Sequence, residues 1–168
     1  GADAVYIGGD AFGLRANAKN FFFFFMKDGI DFAHQNNAKV YVTVNIIAHN
    51  SDLEGIEEYL KELNTIKPDA LIISDLGVFN IAKRVCKKID IHISTQANST
   101  NYETFNMWYN LGAERVVCAR ELSLNEIKDI KEHINNKEIE AFVHGAMCIS
   151  YSGRCLLSSY FTHRSANL

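Results

Sequence analysis

The sequence predicts an α/β fold: a parallel, barrel-like β/α sheet of the TIM type, truncated at both ends. Three observations carry that expectation. Short apolar runs alternate with amphipathic segments along the whole chain. Most of the runs are near-continuously apolar, as parallel strands covered on both faces are. Polar residues gather where the runs end, which is where a β/α barrel builds its site.

The runs come in order. Ala4–Ile7 stops at Gly8-Gly9, and Lys39–Asn45 is rich in β-branched residues. Ala70–Asp75, Ile89–Thr95, Arg115–Arg120 and Ile139–His144 complete six. Between them lie segments of helical period. Leu53, Ile56, Leu60 and Leu63 share one face, opposite Glu54, Glu57, Glu58 and Lys61. Leu124, Ile127, Ile130 and Ile134 repeat that spacing behind a Ser123-x-x-Glu126 capping box. Val78, Ile81, Ala82 and Val85 form a third stripe, and Phe105, Trp108 and Leu111 a fourth, closed by Gly112. Asn36-Asn37 and Asn135-Asn136 punctuate two helix ends.

Helical crossovers between strands imply parallel pairing with right-handed connections. A doubly wound open sheet is the alternative. The monotonous repeat and the polar strand ends favour the barrel, which six strands cannot close. Gly1-Ala2-Asp3 leads straight into the first run, and Ser165–Leu168 carries neither a cap nor a polar tail. Residues 1–168 are therefore expected to be one partial barrel domain of a longer protein. Phe21–Phe25 breaks the pattern with five consecutive phenylalanines. It reads either as a buried entry to a helix over Met26–Gln35 or as an exposed patch for a protein partner.

The bulk numbers exclude several classes. A net charge of −3 and a pI near 6.1 argue against nucleic-acid binding by overall charge, though not against a local basic patch. The local candidates are Lys83, Arg84, Lys87 and Lys88, and separately Arg154, His163 and Arg164. No window suits a membrane span and no secretory signal is visible, so neither a membrane nor DNA is an expected partner. The four cysteines, at 86, 118, 148 and 155, do not make a disulfide scaffold in a chain this long. They are expected as reduced thiols in the cytoplasm.

The strand ends offer Gly8-Gly9, Asn45, Asp75, Ser94-Thr95-Gln96 with Asn98, Arg120-Glu121 and His144-Gly145. Any one of these can be a simple loop cap; together they suggest a pocket rim. Arg120 is placed to bind an anion, since a guanidinium suits a carboxylate. Glu140 lies within the last run and could brace the following loop. Cys148 and Cys155 follow directly, seven positions apart between glycines that permit tight turns. Such thiols are either inert packing or soft-metal ligands, for zinc with His144 or for an iron–sulfur cluster with further cysteines. Cys86 and Cys118, in a helix and a strand, read as small buried apolar residues. A Cys148 thiolate paired with His144 or His92 is the nucleophilic alternative. Neither a His-Glu-x-x-His nor a Gly-x-Ser-x-Gly motif is present.

The stretch Glu140–Ser158 runs Glu-x-Phe-x-x-Gly-Ala-Met-Cys, four residues, Gly-x-Cys-x-Leu-Ser. It resembles the signature of the collagenase-like peptidase family, peptidase family U32, at every position. Residues 1–9, Val42–Asn45, Ser94–Asn98 and Ala119–Ser123 are similar to that family in collinear places; Phe21–Phe25 departs from it. The family name implies proteolysis. The resemblance also extends to members that hydroxylate transfer RNA, ribosomal RNA or ubiquinone precursors with an oxygen-sensitive four-iron–four-sulfur cluster. By that resemblance Cys148 and Cys155 are two of four cluster ligands, the others falling beyond residue 168. The site would draw on His144, Glu140, Arg120, Gln96 and Asn98. The expected activity is iron–sulfur-dependent hydroxylation of RNA, above all transfer RNA, with prephenate as hydroxyl source. A collagenase-like peptidase and a non-catalytic assembly partner are the alternatives. The isolated stretch is expected to be inactive, lacking strands and half the ligands.

Overall fold

Strands and helices alternate in the order expected. The computed structural model describes residues 1–8, 16–152, 154, 155 and 160, with 16–22 described by backbone alone. Gly9, the Phe21 and Phe22 side chains, Gly153, Leu157, Ser158, His163, Arg164 and residues 165–168 fall outside that description. The elements are β1 (Ala4–Gly8), α1 (Ala16–Gln35), β2 (Lys39–Val44), α2 (Asn50–Ile66), β3 (Ala70–Ile73), α3 (Leu76–Val85) and β4 (Asp90–Ile93). A 3-10 turn (Thr95–Ala97), α4 (Tyr102–Asn110), β5 (Arg115–Val117), α5 (Leu124–His133) and β6 (Glu138–Glu140) follow. The six strands form one sheet in sequence order, β1-β2-β3-β4-β5-β6. That order is the barrel's; a doubly wound sheet reverses at its switch point.

The chain divides into two compact units, residues 1–44 with 48–91, and residues 45–47 with 92–168. In the first, β1, β2 and β3 pair in parallel, with Tyr6 beside Tyr41 beside Ala70 and Gly8 beside Thr43 beside Ile72. Tyr41, Ala70 and Ile72 pack together with Ala4 on that face. On the alternate positions Val40, Val42, Val44, Leu71 and Ile73 are all buried, as are Ile30 of α1, Ile56, Leu60 and Leu63 of α2, and Val78 and Ala82 of α3. Each of the Val, Leu and Ile side chains among them contributes about 1.5–3 kcal/mol by leaving water. Asp69 ties three elements together: its carboxylate accepts from the Val40 N–H at 2.8 Å and lies 2.8 Å from His34 Nε2. Burial alone would raise its pKa, but these bonds bring it below the ordinary value.

In the second unit β4, β5 and β6 pair in parallel, with His92 beside Arg115 beside Glu138 and Val117 beside Glu140. Phe105 and Trp108 of α4, Val116, Ile130 of α5 and Ile134 are buried. The Tyr109 hydroxyl donates to the Glu138 carbonyl at 2.6 Å, and burial drives its pKa upward.

Several expectations need correction. The phenylalanine run is not an entry to α1 but lies inside it, with Phe23 buried and Phe24 and Phe25 more than half exposed. Five like residues carry no period, so the helix start could not be read from them. Asp75 caps α3, accepting from the Val78 N–H at 2.9 Å, rather than serving a rim. Leu124 and Leu111 are exposed. The last described strand ends at Glu140, not His144, where its pairing with Val117 of β5 ends. The Ser123–Glu126 capping box is present, and Asn37, Asn135 and Asn136 take the left-handed conformation expected at helix ends.

Candidate functional site

The site builds up within the second unit, from loops that follow strand ends. After β4 the chain makes a tight turn. Ser94 Oγ accepts from the Gln96 N–H at 3.1 Å, and Asn98 Nδ2 donates to the Gln96 carbonyl at 3.0 Å. Asn98 closes the turn at φ 53°, a conformation asparagine tolerates better than most residues. Thr95 Oγ1 then donates to the Cys118 carbonyl at 3.0 Å, and the Ala119 N–H to the Ser99 carbonyl at 3.1 Å. Cys118 in turn donates its N–H to the Glu140 carbonyl at 2.7 Å. The ends of β4, β5 and β6 are thus cross-linked by backbone and hydroxyl groups.

Arg120 extends this lattice to the cysteine loop. Its Nε donates to Ser152 Oγ at 2.8 Å, Nη1 to the Cys148 carbonyl at 2.7 Å and Nη2 to the Ser150 carbonyl at 2.7 Å. The sequence placed Arg120 as an anion binder; three of its five donors are spent on the loop instead. The loop itself is open. Residues 141–149 are all exposed, His144 and Cys148 among them. Gly145 turns at φ 132°, where a side chain would be strained.

Glu140 belongs to a charged row that sequence reading missed. Arg115 Nε and Nη2 both bond Glu138 Oε2, at 2.8 and 2.5 Å, and Nη1 bonds Glu140 Oε2 at 3.1 Å. Parallel register places Arg115 beside Glu138, and Glu140 follows on the same face. The alternation Glu138-x-Glu140 opposite a strand-initial arginine was the available signal. His92 precedes Arg115 in the same row and is buried.

Among the described residues four buried oxygens have no hydrogen-bond partner: Asn45 Oδ1, Gln96 Oε1, Asn98 Oδ1 and Ser99 Oγ.

The four cysteines, none in a disulfide, sort into two kinds. Cys86 and Cys118 are buried, and desolvation pushes both thiols up to about 11. Cys86 caps α3 and donates to the Leu60 carbonyl at 3.3 Å. Cys148 is exposed and Cys155 half-buried. Thiolates bind metal, so only the second kind is suited to ligation. Among the described residues no group of three His, Cys, Asp or Glu could hold a metal ion. His144 and Cys148 make no mutual hydrogen bond among the described residues, so no nucleophile–base pair is assembled. The basic helix expected at residues 83–88 is also modified. α3 ends at Val85, leaving Lys87 and Lys88 beyond it, and Arg84 is paired with Glu57 at 2.6 Å.

A sequential parallel β/α sheet whose last strand leads into a two-cysteine loop defines a recognisable class. The model for peptidase family U32 matches residues 1–168, and the chain belongs to that family. It is 46% identical over 167 residues to tRNA hydroxylation protein P1 of Bacillus subtilis, covering 99% of this chain and 39% of that protein. It is 47% identical over 168 residues to tRNA hydroxylation protein P of Helicobacter pylori, covering 99% and 40%. The 23S rRNA 5-hydroxycytidine synthase of Escherichia coli is 40% identical over 170 residues, covering 99% and 25%. The chain thus spans well under half the length of these relatives. A solved U32 peptidase structure shares the fold at a TM-score of 0.66, with 15% identity over 88% of this chain and 62% of that one. Among the described residues no helix is long and apolar enough to cross a membrane.

Proposed function

We propose that this chain is part of an RNA-hydroxylating enzyme, acting on transfer RNA, whose four-iron–four-sulfur cluster is ligated in part by Cys148 and Cys155. The observation that carries the ligand assignment is the contrast among the thiols: Cys86 and Cys118 are buried with their pKa raised by burial, while Cys148 is exposed on a loop bonded by Arg120 and Cys155 is half-buried. The RNA substrate is supported by the names of relatives at 40–47% identity, which act on tRNA and on rRNA. The remaining ligands would come from sequence outside this chain. When bound, such a cluster supplies one-electron transfer.

The chain's own residues would do the rest. Gln96, Asn98 and Asn45 have buried carbonyl oxygens without donors. A pyrimidine N–H or a ribose hydroxyl supplies such donors, once the turn admits it. Arg115 holds Glu140 and Glu138 in place. His144 stands exposed at the head of the loop, where a bound substrate would meet its imidazole. The proposed conversion of a pyrimidine C–H to C–OH takes its oxygen from prephenate as hydroxyl source and passes the two electrons removed from the base to a separate two-electron acceptor, which the full-length enzyme would have to recruit. A peptidase would need a base at its thiol, and His144 is not bonded to Cys148. An assembly role would rest on the exposed Phe24, Phe25 and Phe32 of α1.

The test is nucleoside mass spectrometry of RNA from cells lacking the full-length protein. Loss of a hydroxylated pyrimidine, restored by the wild-type gene and not by Cys148→Ser, is expected. Unchanged nucleosides would refute the proposal.

A further inference from the structure

The loop that bears Cys148 has little to hold it. Val143 and Ile149 are 95% and 98% exposed, and the Arg154 N–H bond to the Tyr151 carbonyl at 3.0 Å closes only a single turn. Ordering so open a segment costs backbone entropy that no core burial offsets. Among the described residues, the Arg120 guanidinium reaches into it. Arg120 touches every second residue from Cys148 to Ser152, through two carbonyls and one hydroxyl. Its own backbone is rooted in the rim: the neighbouring Cys118 and Ala119 N–H groups are bonded to Glu140 and Ser99.

Charge distinguishes Arg120 from the other arginine of this region. Arg115 spends its charge on Glu138 and Glu140. The three acceptors of Arg120 are all neutral, and no carboxylate pairs with it among the described residues. A full positive charge is therefore kept at a loop whose thiols would be anionic when ligated. Structural bracing alone would be served by neutral donors.

We infer that Arg120 is a positioning residue for the cluster: its fork presets the Cys148–Ser152 loop for ligation, and its uncompensated charge stabilises the reduced cluster. This rests on the ligand assignment proposed above. It moves Arg120 from the substrate to the cofactor. The two contributions separate by substitution. Arg120→Lys keeps the charge and loses the planar three-way fork. Arg120→Gln keeps a short amide donor and loses the charge. Ser152→Ala removes one acceptor and leaves the arginine intact.

The experiment uses the full-length protein, reconstituted anaerobically with iron and sulfide. It follows loss of visible absorption in air and the midpoint potential by redox titration. Arg120→Lys should lose its cluster on the order of 10-fold faster than wild type, in the range seen when groups supporting a metal ligand are removed. Its potential should stay near the wild-type value. Arg120→Gln should be similarly labile with a lower potential, since a nearby cation favours the more negative, reduced state. Ser152→Ala should show a smaller gain in lability at unchanged potential. A wild-type cluster whose lifetime and potential are indifferent to all three substitutions overturns the role of Arg120 and leaves the cysteine assignment standing. Wild-type protein that takes up no iron overturns both.

Discussion

Cys86 and Cys118 are each 2% exposed, one capping α3 and the other just past β5, whereas Cys148 stands exposed on the loop after β6. Cys155 follows it, half-buried. The first pair is enclosed by the helices and strands that make the fold, and water is excluded from both thiols. That exclusion raises their pKa to about 11, because a thiolate there would be a buried charge. In the second pair Cys148 is exposed and its carbonyl is held by the Arg120 guanidinium, while Cys155 is half-buried. The same residue type is used once as a small apolar filler and once as a reactive donor. The difference lies in solvent and neighbours, not in the cysteine.

Alkylation should break the comparison most sharply if it is wrong. Two units above the ordinary thiol value of 9.0 leave Cys86 and Cys118 with about 100-fold less thiolate at neutral pH, before burial slows them further. In the cluster-free native full-length protein, mass mapping after iodoacetamide should find Cys148 modified at least that much faster. Equal labelling of all four would erase the distinction.

Stability supplies the next contrast. Replacing Cys86 or Cys118 by Ser buries a more polar hydroxyl and should cost about 1–2 kcal/mol in urea unfolding. Replacing Cys148 by Ser in the cluster-free protein should fall within about 0.5 kcal/mol of wild type, as exposed substitutions do. A larger cost at Cys148 would mean the loop is packed.

The smallest effect concerns the first unit, where charge rather than sulfur is tuned. Asp69 has its pKa lowered by bonds from Val40 and His34, although burial opposes them. Its contribution is therefore present above the unfolded carboxylate value and lost as pH falls through the folded one, below 3.8. Asp69→Asn should lower stability at pH 7 by up to about 1 kcal/mol, with the gap to wild type closing toward pH 3 in unfolding curves. A gap that persists unchanged at low pH would assign the cost to something other than ionisation.

Six strands in barrel order could be read from the sequence because each is apolar on the positions that face the helices. Four apolar stripes gave their helices the same way, although Leu124 and Leu111 proved exposed. The phenylalanine run hid the start of α1, since a uniform run has no period to betray a helix. Strand ends were overextended after β6 because apolar content does not reveal whether a neighbour exists to pair with. The cysteine loop was legible from composition and spacing. The Arg115 row was not, because 23 residues separate Arg115 from Glu138 and only the sheet register joins them. Arg120 was found by position, but its bonds to the Cys148 loop were not, since sequence shows a donor and not the carbonyls it reaches.

The most direct measurement is anaerobic visible spectroscopy with iron and sulfide analysis. It compares the full-length protein, its Cys148→Ser/Cys155→Ser form and its Cys86→Ala/Cys118→Ala form. The account predicts broad visible absorption and bound iron and sulfide in the wild type and in the buried-pair variant, both lost when the loop pair is replaced. Iron and colour retained without Cys148 and Cys155, or absent from a folded wild type purified anaerobically, would contradict it.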